Sequence, residues 1–218
     1  MKVEVGLIRV LTVKDDELLN SHGRLIESYF PDLKVISRCI DAQPRGIYSE
    51  ETEKTAIPKI VKLGREMENV SAIIVSCAAD PGVKELRKIK DMPVIGAGSS
   101  SASLSLSFGS KIGTLGITES TPPIMKEILG EHLVAEVKPE GVETTLDLMT
   151  DEGKKDAISA VKYLRKREVD VIALACTGYS TIAQDLEKAA GIPVIDAVVA
   201  AGLFTWYFTK GYDHENKR

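Results

Sequence analysis

The 218-residue chain contains three cysteines, Cys39, Cys77 and Cys176. They form no even set and no Cys-x-x-Cys pair, which argues against a disulfide scaffold or a zinc ribbon. Positive charge is not in excess. Twenty-eight Lys and Arg face 32 Asp and Glu, for a net charge of −4, so a nucleic-acid or anionic-membrane surface is not expected. No apolar run reaches the roughly 20 residues that a membrane helix needs. Linkers, charge blocks and low-complexity runs are missing as well. The opening residues Met1-Lys2-Val3-Glu4-Val5 run straight into a strand-like stretch, so no signal peptide is expected. Thiols without partners point to the reducing cytoplasm.

What is present is ordinary globular composition, 44% hydrophobic and 28% charged. The length suits one large domain or two small ones, with enough core to fold without covalent staples. Short Val- and Ile-rich runs predict strands at Val3–Arg9, Lys34–Ile40, Ser71–Ser76, Pro93–Gly96, Lys111–Ile117, Leu133–Val137, Val169–Ala175 and Pro193–Asp196. Several are apolar throughout, as strands are when helices cover both faces. Amphipathic helical stretches lie between them. Ala56, Ile57, Ile60, Val61, Gly64 and Met67 share one helical face, and so do Ala157, Ile158, Val161 and Leu164. Ser120-Thr121-Pro122 reads as a cap with proline in the first turn of a helix that runs to Leu129. The Ser-rich stretch 99–107 reads as helix too, and the polar tail from Asp213 to Arg218 as frayed. Strands alternating with helices predict an α/β fold with parallel sheets.

The sequence repeats. Val70–Cys77 (VSAIIVSC) and Val169–Cys176 (VDVIALAC) are both apolar strands ending in cysteine. Each leads through a small-residue turn to a helix carrying Leu86 or Leu186, then to Pro93-Val94-Ile95 or Pro193-Val194-Ile195. Val5-Gly6 and Ile112-Gly113 open the halves. Four strands per half suggest two similar small parallel-sheet α/β domains related by a pseudo-twofold axis, and the period is too long for a solenoid. The carboxyl ends of parallel strands face the ligand crevice. If the halves face each other, Cys77 and Cys176 approach one ligand from opposite sides. The bland reading, two buried small hydrophobes, fits most free cysteines taken singly.

Asp80-Pro81-Gly82 after Cys77 reads as a structural turn, with Asp80 as helix cap and Pro81 first in the helix. Thr177 and Gly178 follow Cys176, and the glycine permits close approach by a ligand. Helix N-termini after both cysteines favour the thiolate over an ordinary thiol of pKa about 8.5. Amides of Ala78, Ala79, Thr177 and Gly178, helped by Ser76 or the Thr177 hydroxyl, are candidate oxyanion donors. His22, His132 and His214 lie far off in sequence and read as surface, capping or tail residues, which weakens a Cys–His hydrolase reading. Two facing acid/base groups of one type suit inversion at carbon. One thiolate removes a proton from one face and the other thiol delivers one to the opposite face. No metal and no cofactor is implied.

At these residues the chain resembles the aspartate/glutamate/hydantoin racemase superfamily, whose members use a cysteine pair without a cofactor. The resemblance is strongest from Ile74 through Cys77-Ala78-Ala79-Asp80-Pro81-Gly82 to Val83, and at Pro93-Val94-Ile95-Gly96, which looks like the hydantoin and allantoin racemase branch. Ala175-Cys176-Thr177-Gly178-Tyr179 stands where that branch tends to carry Gly-Cys-Ala-Gly-Met, and Thr177 leans toward the amino-acid racemases. Many hydantoin racemases end the first strand with Asn-Pro-Asn, whereas here it reads Ile8-Arg9-Val10-Leu11-Thr12. Arg9 is either a carboxylate-binding group or a solvated strand-end charge. The resemblance implies two domains, residues 1–97 with 198–218 and residues 98–197, residues 197–210 packing back on the first. It also implies a small-molecule substrate, a 5-substituted hydantoin or an amino-acid derivative, and a homo-oligomer.

Rival readings remain open. Gly96-Ala97-Gly98-Ser99-Ser100-Ser101 after a strand imitates a dinucleotide loop. A two-lobed small-acid binding protein and the decarboxylases and isomerases of the same superfamily are others. Ser99 and Asp196 either line the crevice or cap helices.

Overall fold

The computed structural model describes residues 2–211. The elements follow in the order β1 (Val3–Arg9), α1 (Asp16–Tyr29), β2 (Leu33–Cys39), α2 (Glu50–Glu66), β3 (Ile73–Ser76), α3 (Val83–Leu86), β4 (Val94–Gly96), α4 (Ala97–Ser105), β5 (Ile112–Leu115), α5 (Pro123–Leu129), β6 (Leu133–Val137), α6 (Asp151–Lys166), β7 (Val171–Leu174), α7 (Ala183–Ala190), β8 (Val194–Ile195) and α8 (Ala197–Trp206). All eight expected strands form: β1 and β6 with the expected bounds, β2 one residue earlier, and the other five shorter. The polar tail and His214 lie outside the described residues.

The strands make two four-stranded sheets, β2-β1-β3-β4 and β6-β5-β7-β8. Every pairing is parallel. The sequence explains this. β3 (IIVS), β5 (IGTL) and β7 (VIAL) are buried at every residue, so helices must cover both faces. Ile8, Val75 and Ile73 pack under α2 residues Ala56, Ile60 and Leu63 on one face of the first sheet. On the other face Leu7 and Ile74 meet Ile26 of α1 and Ala197, Val198 and Ala201 of α8. Thus α8 returns from the second sheet to the core of the first, where Trp206 stacks on Phe30 at 6.3 Å. In the second sheet Leu115, Ile172 and Leu174 pack under Ala157, Val161 and Leu164 of α6.

Helix starts follow local chemistry. Ser49 and Thr52 form a reciprocal capping box at α2. Thr150 caps α6 and Asp196 caps α8 through the Val198 and Val199 amides. The Ser-rich stretch is helical, as α4. Two starts differ from expectation. α5 begins at Pro123, with Pro122 at its cap position. α3 begins only at Val83, after Gly82 at φ 73°, because Asp80 itself takes φ 52° and holds Pro81 outside the helix. Glycine is free to take that backbone angle, whereas at Asp80 the surrounding contacts must hold it.

Candidate active site

In each sheet the strand order reverses beside the first strand, and ligands of open parallel sheets bind at the carboxyl ends there. In the first sheet Arg9 ends β1 opposite Ser76 at the end of β3, and Cys77 follows. In the second, Leu115 pairs with Leu174, and Cys176 comes two residues beyond. The two strand ends open on one cavity of about 290 Å³, whose walls include both cysteines. The hydroxyl of Thr177 donates to the carbonyl of Ser76 at 3.3 Å, tying one cysteine turn to the other.

Cys176 Sγ accepts from the Gly178 amide at 3.4 Å, and the field of the Ala79 amide favours the Cys77 thiolate. The Thr145 hydroxyl adds a contact to Cys176 at 3.7 Å. The expected drop in thiol pKa does not occur. Burial pushes both thiols up, because lost hydration disfavours the thiolate by more than one or two weak sulfur hydrogen bonds favour it.

Ser76, Ala78, Ala79, Thr177 and Arg9 line the cavity. Among the described residues the amides of Ala78 and Thr177 meet no protein acceptor. Gly178 and Ser99 do not line it. The Gly178 amide is turned to Cys176. Ser99 sits in the first turn of α4, its hydroxyl on the Gly96 carbonyl at 3.2 Å. Asp196 likewise serves as a cap, bonded also to Ser180 at 2.8 Å.

Asp80 does not cap α3. Its carboxylate crosses to the start of α4 and accepts from the Gly98 and Ser99 amides at 2.7 and 2.9 Å. This removes the dinucleotide reading. The helix N-terminus that would hold a phosphate already holds a carboxylate. A Cβ on Gly96 would lie 2.1 Å from that carboxylate, and one on Gly98 would lie 1.8 Å from the Ala78 carbonyl. These glycines admit the Cys77 turn, which fills the space a pyrophosphate would need.

His22 is a correction. It is 4% exposed, not a surface group, and its Nδ1 lies 2.8 Å from Ser76 Oγ. Burial, with Arg9 nearby, keeps its pKa well below the usual 6.5. The helical spacing of Gly23 and Ile26, both buried in α1, would have put His22 beside the inward face. His132 is half-buried, its Nδ1 3.0 Å from the Ser110 carbonyl. Glu53, which the sequence did not single out, lies on the cavity wall, and its field opposes ionisation of Cys77.

Among the described residues no helix is long and apolar enough to cross a membrane, and no cluster of three His, Cys, Asp or Glu could hold a metal. The family model for Asp/Glu/hydantoin racemases matches residues 24–202. A hydantoin racemase from Pseudomonas sp. (strain NS671) is 26% identical over 189 residues, 79% of this chain and 73% of that one. An allantoin racemase from Klebsiella pneumoniae superposes with a TM-score of 0.81 at 22% identity, over 96% of this chain and 89% of that one. A glutamate racemase from Bacillus anthracis gives 0.70 at 18% identity, over 96% and 83%.

Proposed function

The chain belongs to the Asp/Glu/hydantoin racemase family, and from that premise we propose that it racemises a small carbon acid through Cys77 and Cys176, one on each face of the reacting carbon. The observation that carries this reading is the single cavity walled by two thiols, one from each sheet. A thiolate on one side takes the proton. The electron pair moves into the neighbouring carbonyl as an enolate, and the opposite thiol returns a proton to the other face. The pair ends with its protonation exchanged, so no external acid or base is consumed. The unpartnered amides of Ala78 and Thr177, one per turn, are suited to the enolate oxygen. The Gly178 amide holds the Cys176 sulfur, and the Ala79 amide favours the Cys77 thiolate.

The substrate inferred is a cyclic ureide of the 5-substituted hydantoin type, in line with the hydantoin racemase relative and the allantoin racemase fold neighbour. Its acidic carbon sits between a ring nitrogen and a carbonyl, and the mostly apolar cavity fits a ring of that size. Aspartate and glutamate are the second reading, favoured by Arg9 on the wall. The same reading divides the chain after residues 97 and 197, and takes the protein as a cytoplasmic homo-oligomer.

The test incubates single enantiomers of 5-substituted hydantoins, allantoin, aspartate and glutamate in heavy water with the wild type, Cys77→Ser and Cys176→Ser. Loss of optical rotation with deuterium at the reacting carbon is expected for the ureides. Either variant should lose about 10²–10⁴-fold in both directions. Wild-type rates in both variants would end the two-thiol mechanism.

A further inference from the structure

The two thiols face opposite electrostatic surroundings. Arg9, at the end of β1, is 4% exposed and lines the cavity. Its Nη1 is fixed on α1 by the Leu18 and Leu19 carbonyls and the Ser21 hydroxyl, at 2.7, 3.4 and 3.1 Å. Nε and Nη2 make no hydrogen bond to the protein among the described residues. No carboxylate pairs with it there either. A buried guanidinium without a counter-ion is costly, and such a charge is retained where an anion forms. The thiol within its field on the cavity wall is Cys176, whose sulfur also accepts from Gly178 and touches the Thr145 hydroxyl. Cys77 instead faces two carboxylates, Glu53 from α2 and Asp80 beyond its own turn.

We propose that Arg9 is a positioning residue for charge, which makes Cys176 the first of the pair to ionise and leaves Cys77 as the resting proton donor. The inference rests on the two-thiol reading above. The working form is then Cys176 thiolate with Cys77 thiol, and the substrate enantiomer whose hydrogen faces Cys176 meets a ready base. The guanidinium compensates the thiolate and in turn has its own burial compensated. Burial, partly offset by Cys39 and Cys176, brings Arg9 down only to about 10, so it stays charged at neutral pH. The other titratable groups in these fields are Tyr179 beside Cys176, and His22 and Cys39 beside Arg9. His22 is neutral by burial. Cys39 competes for the same cation, so it is replaced by serine in the test.

The experiment follows thiolate ultraviolet absorbance against pH without substrate, in Cys39→Ser/Cys77→Ser and Cys39→Ser/Cys176→Ser proteins. Cys176, alone in the first, is expected to titrate at lower pH than Cys77 in the second. Adding Arg9→Gln should move the Cys176 titration up by about one pH unit or more, a tenfold change. Cys77 should move by less, and Arg9→Lys should restore most of the shift. Coincident or reversed titrations in the Arg9-containing proteins overturn the proposal, even if Arg9→Gln fails to fold. It is equally overturned if Arg9→Gln leaves Cys176 unmoved and raises KM only for substrates bearing a carboxylate. The readout needs no turnover, so it can fail while the racemase stands, and the reverse.

Discussion

At the end of β1 stands Arg9, opposite Ser76; just past the end of β5 stands Gly116, where a Cβ would lie 3.6 Å from that of Ala175. The first lobe sends a cation into the cavity from a position where the second has no side chain at all. The turns differ too. After Cys77 two left-handed residues and a four-residue helix lead away. After Cys176 a short 3-10 turn carries the wholly buried Tyr179, whose hydroxyl donates to the Gly116 carbonyl at 2.8 Å. Strand order and direction are duplicated. Charge, turn geometry and the β5–β6 register, which shifts between Ile112 and Gly113, are not. A symmetric frame thus brings two equal thiols to one cavity, and asymmetric side chains make them unequal in acidity.

The largest effect that tests this comparison is a mirror-image pattern of isotope exchange. With Cys77→Ser the remaining Cys176 can still exchange the hydrogen on its own face, and with Cys176→Ser only the opposite face is served. Racemisation should fall about 10²–10⁴-fold in both variants. Residual wash-in of deuterium, read by mass spectrometry, should persist with one enantiomer in one variant and with its mirror image in the other. Exchange of the same enantiomer in both would mean that the thiols do not flank the carbon.

A second comparison concerns the helices that follow the last strands. α4 opens on Gly96, Ala97 and Gly98, and α8 on Asp196, Ala197 and Val198. In the first lobe the cysteine turn lies against the helix so closely that a Cβ at Gly98 would stand 1.8 Å from the Ala78 carbonyl oxygen. Backbone must move to relieve that, so Gly98→Ala should cost about 1–3 kcal/mol in urea unfolding and lower kcat by displacing Cys77. Val198→Ala should cost about 2 kcal/mol through lost core contact and leave kcat within twofold. Equal effects on kcat would show that the two cysteine turns lean on their helices alike.

The frame was legible because short Val- and Ile-rich runs alternate with amphipathic helical stretches; the central strands β3, β5 and β7 are buried throughout, while β2 and β6 at the sheet edges alternate. The repeat made the thiol pair legible, since VSAIIVSC and VDVIALAC announce two strand ends of one kind. The capping role of Asp80 was misread, because a capping signal next to Pro-Gly points to the nearest helix, whereas the carboxylate reaches one 18 residues on. The same distance hid the fate of Gly96 and Gly98, which imitate a phosphate loop until the chain that fills them is in place. His22 and Glu53 were missed for a related reason. Each sits on a helix whose apolar spacing says only which face is inward, and nothing local says that Ser76 or Cys77 lies across from it. The acidity of the thiols was misjudged because a helix N-terminus is visible in sequence and burial of a particular sulfur is not.

The smallest effect is the pH dependence of stability that His22 gives the first lobe. His132, in the second lobe, is half-buried, whereas His22 is buried against Ser76 and held well below 6.5. A base with a lowered folded pKa contributes stability above its unfolded value and loses it as pH falls through the window beneath. From pH 6.5 downward the unfolded chain takes up a proton that folded His22 refuses, at up to about 1.4 kcal/mol per pH unit. Asp80 and Asp196 act in the opposite sense. Burial raises both above 3.8, so their contribution is present at low pH and is lost as pH rises through their folded values. The difference between wild type and His22→Gln, which keeps a partner for Ser76, isolates the histidine. Trp206, the chain's one tryptophan, is packed against Phe30 and reports unfolding of the first lobe by fluorescence. Wild type should lose stability faster than His22→Gln between pH 6.5 and 5.5. Parallel curves would mean that His22 takes its proton in the folded protein, and that its place beside Arg9 and Ser76 is wetter than its burial implies.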